Sequence, residues 1–233
     1  ELDWGPWYAE GAVAMGFVTN GRNQDSDYLG DGRTLEFSRS NNKIEGSKTY
    51  DYSLAVGYKQ QFTKNKSIYT LTPLVGYSHN ILDLRMTDGF QTIPATGSFN
   101  GLNSSYKAEF EGPWLGVNFS TEPSDRSKLN LRYEYHWYDY YAAANWNLRT
   151  NLAHPTSFEH FTEGTGGVLK GEYRYNISPL DELSFSYEQR NWKSDAGIDR
   201  IHIVSPSPLT VDTKLNEINW ESQHFMMNYK KRF

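Results

Sequence analysis

From Leu129 to Tyr138 the chain alternates without interruption. Leu129, Leu131, Tyr133, Tyr135 and Trp137 interleave with Asn130, Arg132, Glu134, His136 and Tyr138. A period of two puts the two sets on opposite faces of a strand, one apolar and aromatic, the other charged. Such a segment fits only a fold that covers one face with protein or lipid and pairs or hydrates the other. That restricts the chain to sheet folds, and above all to barrels and sandwiches.

The pattern recurs along the chain. Strands are expected over about Trp7 to Val18, over Tyr50 to Gln61, around Tyr69 to Tyr77, and around Pro113 to Phe119. Further strands follow Leu129, run from Leu169 to Ile177, run from Leu183 to Arg190, and end the chain from Phe225 to Phe233. Their connections alternate in length. Tight breaks at Thr63–Lys66, Glu122–Asp125 and Ser178–Asp181 separate long polar segments at about 19–49, 83–105 and 142–165 and before the last strand. This is the layout of an outer-membrane barrel, with short periplasmic turns and long extracellular loops. The expected fold is all-β: a closed antiparallel up-and-down transmembrane barrel of about eight strands, with ten as the alternative. One domain spans residues 1–233. Strand-like content at Thr34–Ser38 and Ile201–Val204 suggests that strands run on above the membrane as a tall rim.

Composition is compatible with this. Mean hydropathy is −0.72 and the longest near-apolar run, Gly11–Val18, has 8 residues, against the roughly 20 that a membrane helix needs. Alternating strands hide their apolar residues and score as hydrophilic. A soluble lipocalin-like barrel shows the same alternation with its faces reversed. Against it stand the alternating connection lengths, the strand ending on Phe233, and 15% aromatic content concentrated near strand ends, where interfacial girdles lie. The chain has no cysteine, so disulfide and thiol chemistry are absent. A net charge of −5 argues against a nucleic-acid partner. The first residues, Glu1-Leu2-Asp3-Trp4, have no leader character, as expected of an exported chain after leader removal.

The two faces then take different roles. Trp7, Phe119, Ile177, Leu183 and Phe233 are expected in a girdle at the short-turn rim, and Phe17, Tyr50, Tyr77, Trp137 and Trp192 at the long-loop rim. The opposite face carries Glu10, Asp51, Glu134, Glu172 and Glu188 beside Arg132, Lys170, Arg174 and Arg190, with His136 among them. An eight-stranded barrel is just wide enough for side chains to fill it. Unpaired charges there would cost several kcal/mol each, on the order of the ion desolvation penalty. The expectation is a salt-bridged, plugged interior, which argues against a diffusion pore.

Two resemblances add to this reading. The terminal strand ending on Phe233 resembles the C-terminal signature of Gram-negative outer-membrane barrels, which implies a bacterial outer-membrane location. The loop run Gln24–Asp31 and the run Ser157-Phe158-Glu159-His160 together resemble the omptins, outer-membrane barrel proteases with a pair of aspartates facing an Asp-x-His pair. The likeness extends loosely over about residues 15–233, through Gly76-Tyr77 and Gly171–Trp192, and lacks that family's first hairpin. It implies Asp25, Asp27 and His160 as the groups that would activate a water. Phe158 stands where the family has its second-pair aspartate, and a histidine without an orienting carboxylate is a weakened general base. The bland reading of all three residues is solvated loop surface.

Asp25, Asp27 and Asp31 depart from a calcium loop, with Leu29 at the fifth position and Gly30 at the sixth. His154, His160 and Glu163 have no zinc spacing, and no phosphate loop or serine elbow is present. No cofactor or metal is expected. The leading expectation is a structural or surface-interaction barrel, contacting outer-membrane lipid and lipopolysaccharide and meeting an extracellular or protein partner through its loops. An omptin-like protease and a small-solute channel are the alternatives.

Overall fold

The computed structural model describes residues 2–64 and 67–232, so Phe233 lies outside the described residues. The first strands are β1 (Leu2–Trp4), β2 (Trp7–Phe17), β3 (Arg22–Gly30), β4 (Thr34–Lys43), β5 (Lys48–Tyr58) and β6 (Gln60–Lys64). β7 (Ser67–Ile93), β8 (Gly97–Ser98), β9 (Ser104–Ser124), β10 (Ser127–Asn145) and β11 (Phe158–Asn176) follow. The chain continues with β12 (Asp181–Ser194), β13 (Gly197–Ile203), β14 (Leu209–Leu215) and β15 (Asn219–Lys231). Neighbours in the sheet run β1-β2-β5-β7-β9-β10-β11-β12-β15, with the remaining strands branching from this path.

The sheet is all-β and antiparallel, but it has 15 strands rather than eight, and ten is not the count either. Each expected strand is present, and the extra strands have three sources. β1 pairs with the start of β2 through a hairpin at Gly5-Pro6. The second expected strand is broken at Lys59, whose amide turns aside to donate to the Pro6 carbonyl at 2.7 Å. The long polar segments contain β3, β4, β8, β13 and β14, which with the upper parts of β7, β9, β10 and β11 form a rim. Nor is the sheet closed: among the described residues no ladder joins β15 to β1 or β2. A cavity of about 490 Å³ opens along this seam, between Met15 on β2 and Met226 on β15.

The sheet nonetheless curls so that distant strands face one another. Arg132 on β10 contacts Glu10 on β2, and Arg190 on β12 reaches Asp51 on β5 at 3.1 Å and Asn80 on β7 at 3.3 Å. Along β10 the outward residues Leu131, Tyr133, Tyr135 and Trp137 are exposed, whereas Glu134, His136, Tyr138, Tyr140, Ala142 and Ala144 are buried. The inner column changes character with height, from charged at Arg132–His136 to aromatic at Tyr138–Tyr140.

The aromatic layer was not anticipated. Trp192 lies inside at 5% exposure, not at an outer rim. It packs on Phe110, His136 and Tyr138 with ring centroids 4.9, 5.9 and 5.6 Å away. Parity dictates this: Leu183, Phe185 and Tyr187 face out, so position 192 must face in. Glycines admit the two large indoles. Trp114 lies over its cross-strand partner Gly76, where a Cβ would meet the ring at 2.3 Å, and Trp192 lies over Gly166, where it would meet it at 2.0 Å.

Candidate functional site

The inner charges form one connected network. Glu134 is its hub, with Arg132 Nε at 2.6 Å, Lys170 Nζ at 3.2 Å and His136 Nε2 at 3.0 Å. Lys170 continues to Glu188 at 3.5 Å, and Arg190 links Glu188 to Asp51. Arg132 carries the other end to Glu10, to which the Tyr8 hydroxyl also donates. His136 is held from above as well, by Ser78 at 3.3 Å and between the rings of Trp114 and Trp192. Arg174 and Glu172 pair with each other at 2.8 Å nearer the short turns. There they help line a cavity of about 240 Å³ with Thr70, Asn118 and Asn130. Of the expected girdle residues, Trp7, Phe17 and Trp137 are exposed on the outer face, and Phe119 is half-buried beside Tyr69.

At the opposite end lie the loop residues singled out by sequence. Asp25 and Asp27 sit two apart on β3, so both point to the same side as Asn23. Their hairpin partners Ser40 and Ser38 stand on β4, which is laid against the top of β7. The Asp25 carboxyl is pushed above the usual aspartate range by burial and then by the neighbouring Asp27 charge, against the pull of the Trp146 indole and Arg149. Trp146 in turn packs on Phe158 at 4.9 Å, and Phe158 on His160 at 5.0 Å. The two halves of the expected site therefore share one mouth, with two aromatic rings between Asp25 and His160.

The His160 ring has a polar neighbour at each nitrogen. Tyr106 Oη lies 2.9 Å from Nδ1, and Tyr106 in turn hydrogen-bonds Tyr140. Asp199 Oδ1 lies 3.5 Å from Nε2. Burial holds the Tyr106 hydroxyl up at about 12, so it stays protonated. Asp199 is the cross-strand partner of His160 on β13, so a carboxylate stands beside the imidazole although position 158 is Phe. On the other side of the same ladder Glu159 accepts from Tyr141 at 2.8 Å and pairs with His202 Nε2 at 2.8 Å. Sequence alone had no means of finding Asp199 or His202, because their neighbours are set by how a distant hairpin docks. No three His, Asp or Glu side chains gather as a metal site among the described residues.

No curated protein matches the chain. Among solved structures, the chain is similar to the outer membrane protease OmpT from Escherichia coli at 15% identity. The match has a TM-score of 0.71 and covers 97% of this chain and 77% of that one. At that identity the likeness shows a shared fold. The model of the family described as Protochlamydia outer membrane protein, Pom, matches residues 4–233, and the chain belongs to that family.

Proposed function

We propose that the protein is a plugged outer-membrane barrel whose work is done by its extracellular rim, as a structural or surface-interaction protein. The observation that carries this is the filled interior. Glu134, His136, Trp114, Tyr138, Tyr140 and Trp192 are each no more than 5% exposed, so a charged layer and an aromatic layer lie one above the other. Outer-membrane lipid and lipopolysaccharide contact the outer face, and an extracellular or protein partner meets the rim. Beyond the short β1 ladder, the facing edges of β2 and β15 are unpaired among the described residues, and bare strand edges in hydrocarbon cost several kcal/mol per unsatisfied group, on the order of a lost hydrogen bond with no water to replace it. Planar-bilayer recording tests the plug. The expected trace has no conductance steps, and reproducible steps would make the small-solute channel the better reading.

A second reading, peptide hydrolysis at the mouth, is favoured by one observation. Asp25 and His160 stand on either side of the Trp146–Phe158 pair, in a fold shared with a named protease. Against it, His160 Nδ1 is already hydrogen-bonded to Tyr106, and Nε2 faces Asp199 at 3.5 Å. Refolded protein with a fluorogenic dibasic peptide, in the presence of lipopolysaccharide, is expected to show no turnover. Turnover lost on Asp25→Asn or His160→Gln would reverse the order of the two readings.

A further inference from the structure

The inner charged face encloses three cavities that are stacked along the barrel and share walls. The lowest, of about 240 Å³, is reached past Glu122 and Lys128, exposed side chains that flank the short turn between β9 and β10. Asn130, Arg132 and Glu172 separate it from the second, the cavity of about 490 Å³ beside the seam. Asp51, Lys170, Glu188 and Arg190 are common to the second and to a third of about 190 Å³, which ends against His136 and Trp192. There the aromatic layer begins. Phe110, Tyr138, Tyr140 and Trp192 pack as one cluster, and Leu82 of β7 and Trp220 of β15 extend it to either side. We propose that the lumen is a blind aqueous channel, entered by water and small ions at the short-turn end and stopped by the aromatic layer. This rests on the plugged-barrel reading and assigns the plug to one of the two inner layers.

The walls of the column require water. Midway up, the Asp51 and Lys170 side chains are 30% and 37% exposed although both point inward. A charge facing a dry void would cost several kcal/mol, on the order of the ion desolvation penalty. Each cavity is several times the roughly 30 Å³ that a water occupies in the liquid, and its polar walls offer hydrogen-bond partners. Fixed charges cancel along the way: Arg174 pairs with Glu172, Arg132 with Glu10, Lys170 with Glu188, and Arg190 with Asp51. The column therefore has no strong field to exclude ions of one sign.

The layer above has the opposite chemistry. Phe110 lies 4.7 Å from Tyr140, 4.9 Å from Trp192 and 5.4 Å from Tyr138, centroid to centroid. Ala142, the next inward residue of β10 above Tyr140, is wholly buried. An ion entering this layer would shed its hydration and find no charged partner. The side opening of the second cavity at the seam faces hydrocarbon in the membrane, which bars ions as well.

The chain has no cysteine, so single cysteines report position cleanly. Ser120→Cys, Ser186→Cys and Ser53→Cys place a thiol in the first, second and third cavity, and Ala142→Cys places one above the layer. Proteoliposomes receive silver nitrate in chloride-free buffer on both sides, and thiols left free are counted with maleimide after denaturation. The three cavity thiols should be blocked as fast as an exposed thiol at Ser207→Cys. Ala142→Cys should react about a hundredfold more slowly, since a thiol in apolar surroundings is scarcely ionised. With silver outside only, reaction should be confined to molecules that external protease leaves uncut at residues 205–208, because those present their short turns outward. Ready reaction at Ala142→Cys, or reaction confined to the cut molecules, would overturn the blind channel. Silent bilayers with unreactive thiols at Ser186→Cys and Ser53→Cys would overturn the channel alone, whereas conductance steps from the wild type would overturn it together with the plugged barrel.

Discussion

Asp25 is a carboxylate placed where ionisation is disfavoured, half sunk beside an indole with a second aspartate next to it. Its raised pKa means that the folded rim binds this proton more tightly than the unfolded chain does. The stabilising contribution is present at low pH and is lost as pH rises from the ordinary aspartate value of 3.8. Asp25→Asn should therefore raise the thermal midpoint at pH 7 and lose its advantage near pH 3. An equal gain at both pH values would contradict the assignment of the shift to ionisation. Glu134 is a buried carboxylate within ion-pair distance of Arg132 and Lys170, with His136 beside it. Glu134→Gln strands the Arg132 and Lys170 cations and should cost about 3–5 kcal/mol in denaturant titrations of detergent-solubilised protein. These inner residues were legible from parity alone, since a strand offers each residue only two directions. Asp199 was not legible, since nothing in local sequence says which hairpin will lie beside His160.

At the scale of the strand, the outer face of β10 ends its apolar run at Trp137 and continues with Asp139. The register puts Asp139 directly opposite Glu111 on β9 and Glu163 on β11. Three exposed carboxylates in one row repel one another. Among the described residues, Glu111 alone of the three has a basic side chain in ion-pair range, His79 at 4.0 Å. Asp139→Asn should stabilise the sheet by about 0.2–1 kcal/mol, the usual size of a cross-strand term. The gain should shrink when salt is raised, because exposed charges are screened; a salt-independent gain would point to packing instead. The same scale explains what the sequence concealed. The strands crossing the membrane were readable because lipid on one face enforces alternation. β3 and β14 are in water on most sides, so no period of two is imposed, and their composition passes for loop, whereas the strand-like runs Thr34–Ser38 and Ile201–Val204 fall on β4 and the end of β13. The inner aromatics were hidden for another reason: a rule that sends aromatics to membrane girdles says nothing about those on the opposite parity.

For the whole molecule, the seam between β15 and the β1–β2 hairpin is the feature most exposed to test. The outward residues Phe225, Met227 and Tyr229 of β15 are 60–76% exposed, as lipid-facing residues would be. In a bilayer the free edge of this strand needs a hydrogen-bonding neighbour. Amides of Phe225–Lys230 should then exchange slowly in lipid, on a par with those of β10. Rapid exchange confined to alternate residues of β15 would show that its outer edge stays bare. The barrel class and outer-membrane setting were thus readable from alternation and connection length, whereas closure and strand number depend on edges that alternation cannot describe.

One further consequence comes from β7, which runs for 27 residues without a break. At about 3.3 Å per residue it is at most about 90 Å long. Tilted by about 40° it climbs roughly 70 Å, of which the hydrocarbon band takes only about 25 Å. Most of the strand is therefore a mast above the lipid. Anything mounted at its top is carried clear of the headgroups and the first sugars beyond them. Whatever meets the hairpin tips has no need to reach the membrane, and an antibody raised against intact cells should see the tips first.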